Sequence, residues 1–220
     1  MKLALGTVQF GQDYGAFGRR QRVVQAEVSS ILRAAIEADV DLLDTASMYG
    51  SAEGVLGELA AGREFDIVSK CPALSAHADP VAVLFESANQ SRRALGVDRL
   101  YGYLLHNASD ISLPGVWEGL KALRDRGHAA RIGVSAYGYD EVLQLSGSYA
   151  LGLVQLPGNV LDPWYESAKL PAGLEVHVRS VFLQGFLLAD PGAFHDQHRG
   201  PLAFPRVRRT DGVLLGHVEL

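Results

Sequence analysis

Cysteine is nearly missing from this chain. Cys71 is the single one among 220 residues, which excludes an internal disulfide framework and a cysteine-based zinc site and fits a reducing compartment. A basic excess is missing too: Lys and Arg number 20 against 25 Asp and Glu, a formal charge of −5. Nothing in the electrostatics therefore favours nucleic acid or an anionic membrane as partner. No apolar run approaches the roughly 20 residues of a membrane span. The opening MKLALGTVQFGQDYG has one Lys and an apolar stretch too short for a signal-peptide core. A cytoplasmic protein acting on a small molecule is expected. What the chain does have is apolar residues, 48% of the total, enough at this length to bury one substantial core, so residues 1–220 are expected to form a single domain.

Short runs rich in Val, Leu and Ile alternate with longer stretches of helical period, the pattern of βα units around a parallel sheet. Strands are expected at 2–6, 40–45, 65–70, 100–106, 130–135, 152–156 and 175–180. Between them, 26–38 carries Val28, Ile31, Leu32, Ala35 and Ile36 on one helical face, 79–96 opens on Asp-Pro and stops at Gly96, and 113–127 stops at Gly127.

The strands are apolar in the middle and turn polar at their C-terminal ends, at Asp44, Lys70, His106, Ser135, Gln155 and Arg179. In a (β/α)8 barrel those ends form one mouth, where the active site sits. Each residue also has an ordinary reading: an Asp ending a strand as a helix N-cap, a Lys as a solvated charge, a His as a hydrogen-bonded edge residue. Asp44, Lys70 and His106 nevertheless take equivalent places on three successive strands. Tyr49 follows Asp44 in the segment DTASMYGSAEG, just before a helix that Gly50 or Ser51 is placed to cap.

The motifs LALGTVQFG, DTASMYGSAEGVLGE, IVSK, YLLHN, IGVSAYG, LVQLPGNVLD and RSVFLQGFLL, in this order and spacing, resemble the successive strand motifs of the aldo-keto reductase superfamily across about residues 3–190. The resemblance implies a TIM-type (β/α)8 barrel that uses NADPH, without a metal, to reduce aldehydes and ketones or to oxidise alcohols. Its catalytic tetrad falls on Asp44, Tyr49, Lys70 and His106. Carbonyl reduction needs hydride at carbon and a proton at oxygen, and a phenol is a poor acid near neutrality unless an ammonium beside it favours the phenolate. Lys70 is expected to supply that charge, Asp44 to hold Lys70, and His106 to orient the substrate oxygen. The resemblance also implies cofactor contacts from Thr7, Gln9 and Asp44 near the nicotinamide and its ribose, from Ser135 and Gln155 to the carboxamide, and from Arg179, Ser180 and Gln184 around the ring and pyrophosphate. Phe10, Tyr14, Phe17, Tyr137, Trp164 and Tyr165 are candidates for apolar walls.

The pattern departs in three places. Ala136 stands where relatives commonly have Asn, and Arg179 where many have an aromatic ring, although a guanidinium also stacks on a flat ring. The third departure is 191–220, an atypical tail rich in Pro, Arg and His, with an eighth strand expected at 211–216. The expected barrel is thus shortened or incomplete at its C-terminal end, and an open edge there would favour a homo-oligomer. Arg206, Arg208 and Arg209 are either anion contacts or a solvated basic stretch. His195 and His198 have the spacing of a metal pair but lack a third ligand, so no metal is expected. Two other functions use the same residues: an isomerase, dehydratase or lyase that needs no nicotinamide, motivated by the reduced nucleotide-binding end, and a non-catalytic barrel subunit.

Overall fold

The computed structural model describes residues 2–15, 21–164 and 169–188, and the backbone of 215–218. Eight parallel strands close into a barrel in chain order: β1 (Leu3–Gly6), β2 (Leu42–Asp44), β3 (Asp66–Cys71), β4 (Leu100–Leu105), β5 (Ala129–Ser135), β6 (Leu153–Pro157), β7 (Glu175–Arg179) and β8 (Leu215–Val218). The first seven lie within a residue or two of the expected ranges. The eighth falls at the end of the expected segment and beyond it, and pairs with β1 and β7. The edge that motivated self-association is therefore occupied. Ala16–Arg20, residues 165–168 and most of the tail, with Phe17, Tyr165, His195, His198, Arg206, Arg208 and Arg209, lie outside the described residues.

Six α-helices are described: α1 (Val8–Gly11), α2 (Gln25–Glu37), α3 (Ala52–Glu58), α4 (Pro80–Leu95), α5 (Val116–Asp125) and α6 (Tyr139–Ser148). The termini of α4 follow directly from its sequence. Asp79 accepts the Ala82 backbone N–H at 2.9 Å, Pro80 occupies the first turn, and Gly96 takes φ 67° to end the helix. Its buried face, Leu84, Ala88, Ser91 and Leu95, lies against the sheet, where Tyr103 donates its hydroxyl proton to Ser87 at 2.9 Å. Helix α5 begins at Val116 rather than at 113 because Gly115 is left-handed, φ 78°.

Two apolar layers hold the barrel. A large cluster fills the space between strands and helices, and a small one, Ala4, Leu42, Val68, Leu104 and Leu153, plugs the lumen. Burying each of those three leucines contributes roughly 1.5–3 kcal/mol. Below the plug, at the N-terminal end, Glu175 is a hub. It accepts from the Tyr101 hydroxyl at 2.8 and 2.9 Å, from Arg131 Nε at 2.7 Å and from His177 Nε2 at 2.8 Å. Arg131 also stacks on the Tyr101 ring, 4.3 Å from its centroid. A cleft of about 360 Å³ lined by Lys2, Asp41, Asp66, Tyr101, Leu174 and Glu175 opens at this end.

Candidate active site

The C-terminal end of the barrel is assembled from strand ends and one loop. Asp44 closes β2 and Lys70 lies near the end of β3, and both side chains are 2% exposed. Lys70 Nζ donates to Asp44 Oδ1 at 2.8 Å, to Oδ2 at 2.6 Å and to the Thr45 carbonyl at 2.7 Å. The ammonium is thus surrounded by carboxylate and carbonyl oxygens, which is how a buried charge offsets the cost of losing water. Gln155, in the middle of β6, crosses the lumen and donates an Nε2 proton to Asp44 Oδ1.

The segment after β2 is fastened to neighbouring strands before it reaches Tyr49. Thr45 N–H bonds to the Val68 carbonyl, and Ser47 donates to the Lys70 carbonyl through both N–H and hydroxyl. Gly11 and Gly50 then let α1 pack directly against the loop. A Cβ at Gly11 would overlap the Tyr49 carbonyl oxygen, and Gly50 sits at φ 58° with no room for a Cβ beside the Gly11 carbonyl. Tyr49 is consequently held with its ring centroid 5.0 Å from Lys70 Nζ. His106, just past β4, stands edge-on to it, ring centroids 6.1 Å apart at 84°. Burial and the Lys70 ammonium, with a further push from Arg179, lower the His106 pKa to about 4, so near neutrality the ring is uncharged and has one N–H to donate.

Residues 2–189 match the model of the Aldo/keto reductase family. The chain belongs to the aldo/keto reductase family. It is 28% identical over 200 residues to the oxidoreductase sirO of Leptosphaeria maculans, covering 84% of this chain and 61% of that protein. It is 30% identical over 177 residues to the methylglyoxal reductase YeaE of Escherichia coli (strain K12), covering 73% and 61%. Among solved structures, the aldo-keto reductase AKR11C1 of Bacillus halodurans superposes with a TM-score of 0.65 at 20% identity, covering 92% of this chain and 66% of that one. This aldo/keto reductase family chain thus spans about three-fifths of the length of the curated relatives it matches.

The remaining expected residues of this family member occupy varied positions. Ser135, at the end of β5, and Gln155, in the middle of β6, are register partners, both buried. Among the described residues, Gln155 Oε1, Thr45 Oγ1 and Arg179 Nε are buried without a hydrogen-bond partner. Arg179 lies on the mouth, donating Nη2 to the Ala136 carbonyl at 3.1 Å and stacking on Tyr137, which is 75% exposed. Ser180 and Gln184 follow β7 in a turn with φ 60° and 54°, and Leu183 between them has φ 50°. Three non-glycine residues in the left-handed region within five positions are backbone strain of the kind that gathers at binding sites. Thr7 is fully buried, its hydroxyl donated to the Asp44 carbonyl at 2.8 Å, and Gln9 Nε2 donates to the Tyr14 carbonyl at 3.3 Å.

One expected apolar wall is corrected. Phe10 belongs to the core at 1% exposure, because α1 turns it inward. Trp164 is anchored through Nε1 to the Pro157 carbonyl at 2.6 Å and stacks on Tyr139. Cys71 is fully buried, its thiol pushed up to about 12 by burial, as expected for a packing residue. No group of three metal-ligating side chains occurs among the described residues, and no described helix is long and apolar enough to cross a membrane. Sequence reasoning passed over His177. The signal was available, since Glu175, His177 and Arg179 alternate with Val176 and Val178 and so share one strand face.

Proposed function

We propose that this chain reduces the carbonyl group of a small aldehyde or ketone with NADPH as reductant, Tyr49 delivering the proton. The observation that carries the reading is the buried Lys70–Asp44 pair set against the Tyr49 ring, with an uncharged His106 on its edge. When bound, NADPH supplies the hydride. Asp44 and the Thr45 carbonyl keep Lys70 charged and fixed, so its ammonium stabilises the negative charge that develops on the Tyr49 oxygen as its proton leaves. His106 donates its N–H to the substrate oxygen and holds it in reach of Tyr49. Lys70 acts by the field of its ammonium, which Asp44 and the Thr45 carbonyl hold beside the Tyr49 ring.

The residues present fit the cofactor. Gln155 Oε1 is a buried acceptor with no partner among the described residues, beside the Ser135 hydroxyl, and a carboxamide offers the N–H and C=O that such a pair takes. The Arg179 guanidinium offers a flat cationic surface to the ring. Backbone N–H groups of the turn from Ser180 to Gln184 would hold the pyrophosphate. Thr7 and Gln9 back the nicotinamide side by fixing Asp44 and the β1–α1 turn.

The relative named methylglyoxal reductase makes a small 2-oxoaldehyde the first substrate to try. Purified protein is titrated with NADPH and NADH by fluorescence, and NADPH oxidation is then followed across a panel of aldehydes and ketones. Saturable NADPH binding with carbonyl-dependent oxidation supports the reading. Absence of nicotinamide binding at millimolar concentration sinks it, and turnover of a substrate to an isomer without nicotinamide points instead to proton-transfer chemistry at Tyr49.

A further inference from the structure

Among the described residues, the lumen between the Glu175 hub and the Asp44–Lys70 pair contains a buried histidine that the proposed chemistry does not use. His177 is 0% exposed, and its register partner across the β6–β7 ladder is Gln155, also 0% exposed. Register partners on adjacent strands point to the same face of the sheet. Gln155 reaches across the lumen to Asp44, so His177 points into the lumen as well, one layer above Glu175. Its Nε2 is bonded to Glu175 Oε1 at 2.8 Å, and Glu175 is itself held by Tyr101 and Arg131. The imidazole is therefore fixed from below. On its other side two atoms are left over: among the described residues neither His177 Nδ1 nor Gln155 Oε1 has a hydrogen-bond partner.

We propose that one internal water molecule joins His177 Nδ1 to Gln155 Oε1, and that through it His177 is a positioning residue setting the Gln155 amide for the carboxamide of a nicotinamide cofactor. The second half of this inference rests on the NADPH reading above. Buried polar atoms are rarely left unpaired, and an internal water that meets polar groups on both sides is the usual way they are satisfied. One water serves in either charge state of the ring. It donates to Gln155 Oε1 in both, and it donates to Nδ1 of the neutral ring or accepts from Nδ1–H of the charged one. An amide oxygen has two lone pairs, so Oε1 would accept from the water and from a carboxamide N–H together. Because an amide does not pass a proton along, the column Glu175–His177–water–Gln155–Asp44 orients groups and does not conduct.

The test uses cofactor-free, 15N-labelled full-length protein, with the Gln155 side-chain amide resonances assigned by their loss in Gln155→Leu. His177→Phe removes both ring nitrogens at similar shape, and His177→Gln keeps a donor for Glu175 and an acceptor for the water. The link predicts that the Gln155 amide resonances shift and exchange faster with solvent in His177→Phe. It also predicts that the NADPH dissociation constant, read by fluorescence, rises about 5–10-fold, and that His177→Gln restores both. Unchanged Gln155 resonances in a His177→Phe protein with wild-type near-ultraviolet circular dichroism overturn the link. If His177→Phe does not fold, a cofactor-free crystal structure of the wild type decides: a water within hydrogen-bond distance of both atoms supports the link, and a dry gap or a direct contact between them overturns it. If wild type binds no NADPH, the nicotinamide reading fails, while the resonance comparison still decides the water link.

Discussion

The two ends of this barrel both carry charged clusters, and they differ in how completely their groups are used. At the N-terminal end Glu175 receives donors from three side chains, Arg131 is paired and stacked, and Lys2 bonds Asp41 at 2.9 Å on the surface. Burial and the Glu175 carboxylate push the Tyr101 phenol up to about 12, so it remains a hydrogen-bond donor. At the C-terminal end the charge pair is more deeply buried, a phenol and an uncharged imidazole stand beside it, and buried polar atoms of Thr45, Gln155 and Arg179 have no partner among the described residues. The 360 Å³ cleft belongs to the first end. A saturated network stabilises a fold, whereas groups left to complete with a ligand make a site.

Substitutions separate the two ends. The largest effect is expected from Tyr49→Phe, which removes the proposed proton donor while keeping the ring. Turnover of carbonyl substrate should fall about 10²–10⁴-fold, with NADPH binding, read by fluorescence titration, nearly unchanged. Loss of binding in step with turnover would place Tyr49 among the cofactor contacts instead. Lys70→Met strikes both fold and chemistry, because it strands the Asp44 carboxylate in the lumen. Breaking a buried pair in this way costs about 3–5 kcal/mol, to be read by urea denaturation. The double variant Asp44→Leu, Lys70→Met should recover much of that stability and none of the turnover.

A smaller effect concerns pH. The His106 pKa is lowered to about 4 from an ordinary value near 6.5, so between those values the unfolded chain binds a proton that the folded one refuses. Stability from this group is complete above about pH 6.5 and is lost as pH falls towards 4. His106→Gln should flatten the fall of Tm over that window, and an unaltered slope would remove His106 as its source. At the opposite end Tyr101→Phe deletes the hydroxyl proton shared between the two oxygens of a carboxylate that keeps Arg131 and His177, and should cost about 1 kcal/mol in denaturation. Lys2→Met, on an exposed ion pair, should leave Tm and turnover where they were.

Much of this architecture was legible before any coordinates. The periodic apolar runs located seven strands because a barrel strand buried on both faces has few alternatives to Val, Ile and Leu, and the Asp79-Pro80 and Gly96 signals bounded α4 because they act on the local backbone. The strand-end residues Asp44, Lys70 and His106 were legible as a set because they recur at one strand position. The eighth strand was placed early, at 211–216 rather than Leu215–Val218, since a short apolar segment flanked by glycine does not specify its own register. Phe10 was assigned to a wall and lies in the core, because a four-residue helix has too little period to reveal its inner face.

Residue order alone determined the βα alternation, the polar strand ends and the presence of Asp44, Tyr49, Lys70 and His106 in one chain, since those depend on local period and on residue type. Tertiary structure decided what the residues do to one another. Asp44 is 26 positions from Lys70 and 111 from Gln155, and only barrel closure brings the three into one hydrogen-bonded group. Closure likewise turns the register partners His177 and Gln155 into the same lumen and saturates Glu175 at the far end. A sequence lists which polar groups a chain owns, but which of them are satisfied depends on distances across the lumen, and those exist only once the barrel has closed.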